Sequence, residues 1–134
     1  MKTWLVLSAC LLSACAGGGG TSVTTAPRVV HVDESANGTQ VQLRVGDHLD
    51  VALAGTYWQL AAPTGKVLTP GPLPSSSPQP PCRPVGSGCG STAADYVATT
   101  AGTATVQATR VSCGEALRCT PDKSHWALTV TVER

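Results

Sequence analysis

Residues 125–132, His-Trp-Ala-Leu-Thr-Val-Thr-Val, place Trp126, Leu128, Val130 and Val132 at every second position, with Ala127, Thr129 and Thr131 between them. A period of two puts the first set on one face of an extended strand and the second set on the other. The β-branched residues favour that conformation. The same alternation recurs upstream. Ala104, Val106 and Ala108 alternate with Thr105, Gln107 and Thr109; Leu49, Val51 and Leu53 alternate with His48, Asp50 and Ala52. Val41, Leu43 and Val45 face away from Gln42 and Arg44, and Val30 and Val32 flank His31. Trp58 and Leu60 share a face opposite Tyr57 and Gln59, and a further strand is expected over Asp95–Thr99.

Turn signals separate these segments: Asn37-Gly38, Gly46-Asp47, Gly55 and Ala101-Gly102. No segment holds a helical period over three turns. Six or seven short strands with turns between them predict an all-β fold, an immunoglobulin-like antiparallel β-sandwich. The core should form around Trp58 and Trp126 from small side chains, since the chain has no phenylalanine. Eight of its ten prolines fall between Pro63 and Pro84, which argues against regular sheet there and for an extended surface loop.

The chain begins with Lys2 and an apolar run from Thr3 to Ala14, as a secretory signal peptide does. That run is shorter than the roughly 20 residues needed to span a bilayer. Leu12-Ser13-Ala14-Cys15 resembles the bacterial lipobox, in which the peptide is cut before a cysteine that carries the lipid. Residues 1–14 are therefore expected to be a lipoprotein signal peptide and Cys15 the lipidation site. Residues 15–27, with Gly17 to Gly20 and a Thr/Ser-rich stretch, form a flexible tether, and residues 28–134 form one domain. Two or more acyl chains on one residue anchor stably where a single chain is marginal. The expected location is the extracytoplasmic side of a bacterial envelope. Ala16 after the cysteine resembles the outer-membrane sorting pattern in organisms with two membranes.

Four cysteines remain for the exported domain: Cys82, Cys89, Cys113 and Cys119. Two disulfides are expected, with the local pairs Cys82–Cys89 and Cys113–Cys119 favoured among three connectivities. Their six and five intervening residues exceed the spacing usual in zinc sites, so no metal is expected. Net charge is +1 and only 13% of residues are charged, leaving no electrostatic footprint for nucleic acid. Contact with the membrane is expected through the lipid alone, and the domain is expected to be a monomer.

Catalytic patterns are weak. His48 lies between Asp47 and Asp50, and alternation puts His48 and Asp50 on one strand face, where the carboxylate could orient the imidazole; no nucleophile elbow accompanies them. Gly86 to Ser91 lacks the Gly-Lys-Ser/Thr ending of a phosphate loop. Asn37-Gly38-Thr39 is explained by its turn. No catalytic residue and no cofactor is assigned, and the chain is read as a non-enzyme.

In order and spacing, several segments resemble the chagasin family of immunoglobulin-like inhibitors of papain-type cysteine peptidases. They are "VGDHLDVAL" at Val45 to Leu53, Tyr57-Trp58, the glycines Gly86, Gly88 and Gly90, "ADYVATTAGTATVQATR" from Ala94 to Arg110, and the strand from Trp126. The resemblance implies a domain that binds a protein partner, a cysteine peptidase, through three loops at one end. Carried over to this chain, those loops contain Gly55 and Thr56; Gly86, Ser87, Gly88 and Gly90; and Arg110. The first loop departs from the family, because only Ala54-Gly55-Thr56 precedes Tyr57 and the Asn-Pro-Thr-Thr-Gly wedge is not retained. At the third, Val111 stands where the family has proline and no tryptophan follows. An alternative reading is a structural or assembly module of the cell envelope that docks through the Pro63–Pro84 segment.

Overall fold

The alternating segments pair into two four-stranded sheets. The computed structural model describes residues 25–72, 90–114 and 116–134. In chain order the strands are β1 (Val29–Val32), β2 (Gln40–Arg44), β3 (His48–Ala54), β4 (Gln59–Leu60), β5 (Leu68–Pro70), β6 (Ser91–Ala98), β7 (Gly102–Thr109), β8 (Ser112–Gly114), β9 (Leu117–Arg118) and β10 (His125–Glu133). One sheet runs β1-β3-β6-β5 and the other β2-β10-β7-β4, while β8 and β9 form a separate hairpin.

The expected sandwich forms, with a mixed rather than purely antiparallel pattern. β1 pairs with β3 and β2 with β10 in parallel. One extended arm thus contributes an edge strand first to one sheet and then to the other. The crossing between them is a 3-10 turn at Glu34–Ala36, followed by Asn37-Gly38. Asp33 starts this turn by accepting from the Ser35 amide at 2.8 Å, and the Asn37 side chain accepts from the Ala127 amide at 2.9 Å. Asn37 therefore does more than shape its own turn, since it ties the crossing to β10.

The inward faces are those set by the alternation. Leu49, Val51 and Leu53 of β3 meet Val106 of β7 and Leu128 and Val130 of β10, all at 0% exposure. Full burial of such a side chain contributes about 1.5–3 kcal/mol. Trp126 is buried among them, and its indole N–H donates to the Asp33 carbonyl at 3.1 Å, so its one polar atom is satisfied. Val45 is the exception on β2's expected face. It lies past the strand end in the turn to β3 and is exposed.

Two sequence expectations are corrected. The stretch from Pro63 is not wholly a surface excursion, because Val67 and Leu68 are buried and Leu68–Pro70 pairs with β6. Pro70 is tolerated because β5 is an edge strand, where a missing N–H leaves no ladder bond broken. The next residue, Gly71, passes so close to the buried Asp95 carboxylate that a Cβ there would sit 1.8 Å from Oδ2. The second correction concerns β6, which starts at Ser91, earlier than the expected Asp95, and aligns with β3 from Ala54↔Ser91 to His48↔Val97.

At one end of the sandwich the chain enters at Thr25 to Arg28, beside the β2–β3 turn. Asp47 in that turn is 5% exposed. It accepts from the backbone amides of Arg28 and Arg44, each at 2.9 Å, and lies 3.4 Å from the Arg28 guanidinium. Burial pushes its carboxyl pKa up, but those amides and the charges of Arg28 and Arg44 outweigh it and hold the group below its ordinary value.

Candidate functional site

The opposite end carries the loops. Ala54 closes β3 beside Ser91, which opens β6, and Gln59 of β4 pairs with Thr109 of β7. These registers bring the Ala54–Trp58 turn, Gly90 and Arg110 to one pole, although they are far apart in sequence. β3 separates this pole from the chain entry at Arg28 by seven residues, about 20 Å of strand.

The contacts there are specific. The Gly55 amide donates to the Gly90 carbonyl at 2.7 Å, and the Thr92 hydroxyl donates to the Gly55 carbonyl at 3.0 Å. The Trp58 indole N–H closes the turn on the Ala54 carbonyl at 3.1 Å, and the Glu34 carboxylate accepts from the Ala54 amide. Trp58 is 6% exposed, as its pairing with Leu60 predicted. Its ring is covered by Arg110, whose Cζ lies 4.1 Å from the ring centroid. That is a cation–π contact. Arg110 is held from its other side, its Nε donating to the Lys123 carbonyl at 2.8 Å and its amide to the Ser124 carbonyl at 2.9 Å.

The β4–β7 register accounts for this stack. Arg110 follows Thr109, Trp58 precedes Gln59, and those two strand residues are paired. Alternation gave Trp58 to the core, and the family resemblance gave Arg110 to a loop. Only the pairing shows that they touch.

Gly90 is fixed by two constraints. Its φ of 119° lies in the region that L side chains rarely adopt, and an added Cβ would sit 3.1 Å from Thr56 Cγ2. Gly90→Ala is expected to cost about 1–3 kcal/mol by forcing strained backbone and to part the first loop from the second. Urea unfolding checks this; an unchanged midpoint would show that the backbone relaxes without cost.

Two carboxyls near this pole, Asp33 and Asp122, lie below their ordinary range. The Asp33 carboxyl lies below its ordinary range through hydrogen bonds from the Ser35 hydroxyl and amide. Asp122 is lowered first by a hydrogen bond with the Thr120 side chain, against the opposing effect of burial, and further by its own amide and Lys123. The Asp122 turn sits at the base of the β8–β9 hairpin, which is closed by the Cys113–Cys119 disulfide, one of the two expected. Cys82 and Cys89 lie outside the described residues, as do Cys15, Gly86, Ser87 and Gly88. Of the positions expected to bind, Gly55, Thr56, Gly90 and Arg110 are described and cluster.

The proposed His48–Asp50 pairing does not occur. His48 Nδ1 instead lies 3.3 Å from Asp95 on the neighbouring strand, and Asp50 is 2.8 Å from His31 on the other side. Register sets these partners: His31 stands directly opposite Asp50 across the β1–β3 pair, and Asp95 stands diagonal to His48 across the β3–β6 pair, within reach of the imidazole. These pairs lie on the outer face of the β1-β3-β6-β5 sheet, away from the loop pole. Among the described residues no group of three or more His, Cys, Asp or Glu side chains could hold a metal ion.

The class defined by this architecture is an immunoglobulin-like sandwich with loops gathered at one pole. Among solved structures it is similar to two small proteins of the same overall fold. One is amebosin, known from a solution structure, with a TM-score of 0.55 and 14% identity over 80% of this chain and 99% of that one. The other is the cysteine protease inhibitor EhICP2 from Entamoeba histolytica, with a TM-score of 0.57 and 8% identity over 79% of this chain and 96% of that one. At these identities the likeness is one of fold. No protein-family model and no curated protein sequence matches the chain.

Proposed function

We propose that this chain is a non-catalytic, lipid-anchored envelope protein whose loop pole binds a protein partner, and that the partner is a papain-type cysteine peptidase. The observation that carries the reading is the convergence of Gly55, Thr56, Gly90 and Arg110 at one pole, locked by the Gly55–Gly90 hydrogen bond and the Arg110–Trp58 stack. The fold likeness to a solved cysteine protease inhibitor supports it. The chain entry at Thr25 is at the other pole, so an anchor on Cys15 leaves the loops pointing away from the lipid.

Titrating papain-type enzymes with residues 16–134 is expected to slow peptide hydrolysis in proportion to the protein added, with the end point near one equivalent. Several such enzymes remaining at full rate in excess protein would refute the peptidase reading. Anchoring has a separate test. Cys15→Ala is expected to release the protein from membrane fractions, and persistent membrane association would remove lipidation from the reading.

A further inference from the structure

The hairpin between β7 and β10 is not needed to complete the sandwich. β8 and β9 pair only with each other, outside both sheets. Yet it carries Val111 at 73% exposure and Leu117 at 66%, well above Val29 and Val45, the other exposed large apolar side chains among the described residues. A two-stranded hairpin is marginal alone. This one is held by the Cys113–Cys119 disulfide, by the Cys119 amide donating to the Val111 carbonyl at 2.9 Å, and by the Ser112 hydroxyl donating to the Gly114 carbonyl at 2.6 Å. Its base is Arg110, pinned between Lys123 and the Trp58 ring. The protein thus holds two apolar side chains in water on a stiffened support, directly continuous with the loop cluster.

We infer that this disulfide hairpin is the principal anchor of the loop pole, inserting Leu117 and Val111 into an apolar substrate-side-chain pocket of the peptidase cleft. The inference rests on the peptidase reading above and adds the residues that carry the affinity. The Ala54–Trp58 turn is short and internally bonded, its Trp58 buried beneath Arg110 and its Tyr57 half-buried, so its large apolar side chains are far less exposed than those of the hairpin. Interfaces draw most of their affinity from a few anchors that fill pockets. A preformed support reduces the ordering cost of binding. The hairpin has both properties; the turn has only the second.

The test uses the full chain in detergent against papain, comparing inhibition constants. The double variant Val111→Asp/Leu117→Asp is expected to weaken inhibition at least tenfold with an unchanged melting temperature, because neither side chain is in the core. Val45→Asp, at the opposite pole, is expected to inhibit like the parent. Cys113→Ser/Cys119→Ser frees the hairpin without altering its apolar side chains and is also expected to weaken inhibition. If the parent inhibits and the Val111/Leu117 variant is equally tight, the hairpin inference is overturned while the peptidase reading stands. If the parent fails to inhibit papain and related enzymes, the peptidase reading falls and the inference with it.

Discussion

Replacing Trp58 by alanine is expected to lower stability by about 3–5 kcal/mol, the usual cost of deleting a buried indole. The side chain is 6% exposed and belongs to the core cluster, so its removal leaves a cavity that the adjacent strands fill only in part. Two further losses follow at the loop pole. The Ala54 carbonyl loses its indole donor, and Arg110 loses the ring beneath its guanidinium. Trp58→Phe separates these effects, since it retains a ring for Arg110 and most of the buried volume while deleting the N–H. Urea unfolding should place the phenylalanine variant between the parent and the alanine variant. An alanine variant as stable as the parent would show that Trp58 is not a core residue.

At the other pole, Asp47→Ala is expected to cost about 2–4 kcal/mol at neutral pH, because it leaves the amides of Arg28 and Arg44 without their acceptor in a buried turn. The effect should depend on pH with a definite sign. Burial raises the Asp47 pKa, but the two amides and the neighbouring arginine charges lower it further, so the net shift is downward. A carboxyl whose folded pKa is depressed stabilises fully above its unfolded value of about 4 and loses that contribution as pH falls through the folded value. The gap between parent and variant should therefore be widest at pH 7 and narrow in acid below about pH 4. Unfolding midpoints at both pH values check this. A gap independent of pH would mean that the carboxylate charge is not what holds the turn.

Three of the four longest strands were legible in the sequence for a plain reason. Trp126 to Val132, Leu49 to Leu53 and Ala104 to Ala108 each bury one complete face, and such faces leave a period of two. β5 was hidden because its one buried residue, Leu68, directly follows the buried Val67 and lies two residues before Pro70, so neither period nor composition marked it. The Cys113–Cys119 link was readable from spacing. The His48 partner was not, because alternation along one strand says nothing about what stands on the next.

The site divides in the same way. The sequence by itself determined the strand faces, the turn positions, the short Ala54-Gly55-Thr56 connection and the residues from which a loop pole could be made, all of which depend on near neighbours in the chain. Only the tertiary structure decided that Gly55 bonds to Gly90, that Arg110 lies on Trp58, and that Val111 and Leu117 stand exposed beside them. Those facts follow from strand order and register, which arise when two sheets bury their apolar faces against each other at once. No local stretch of sequence carries that information, because each contact joins residues that share no element.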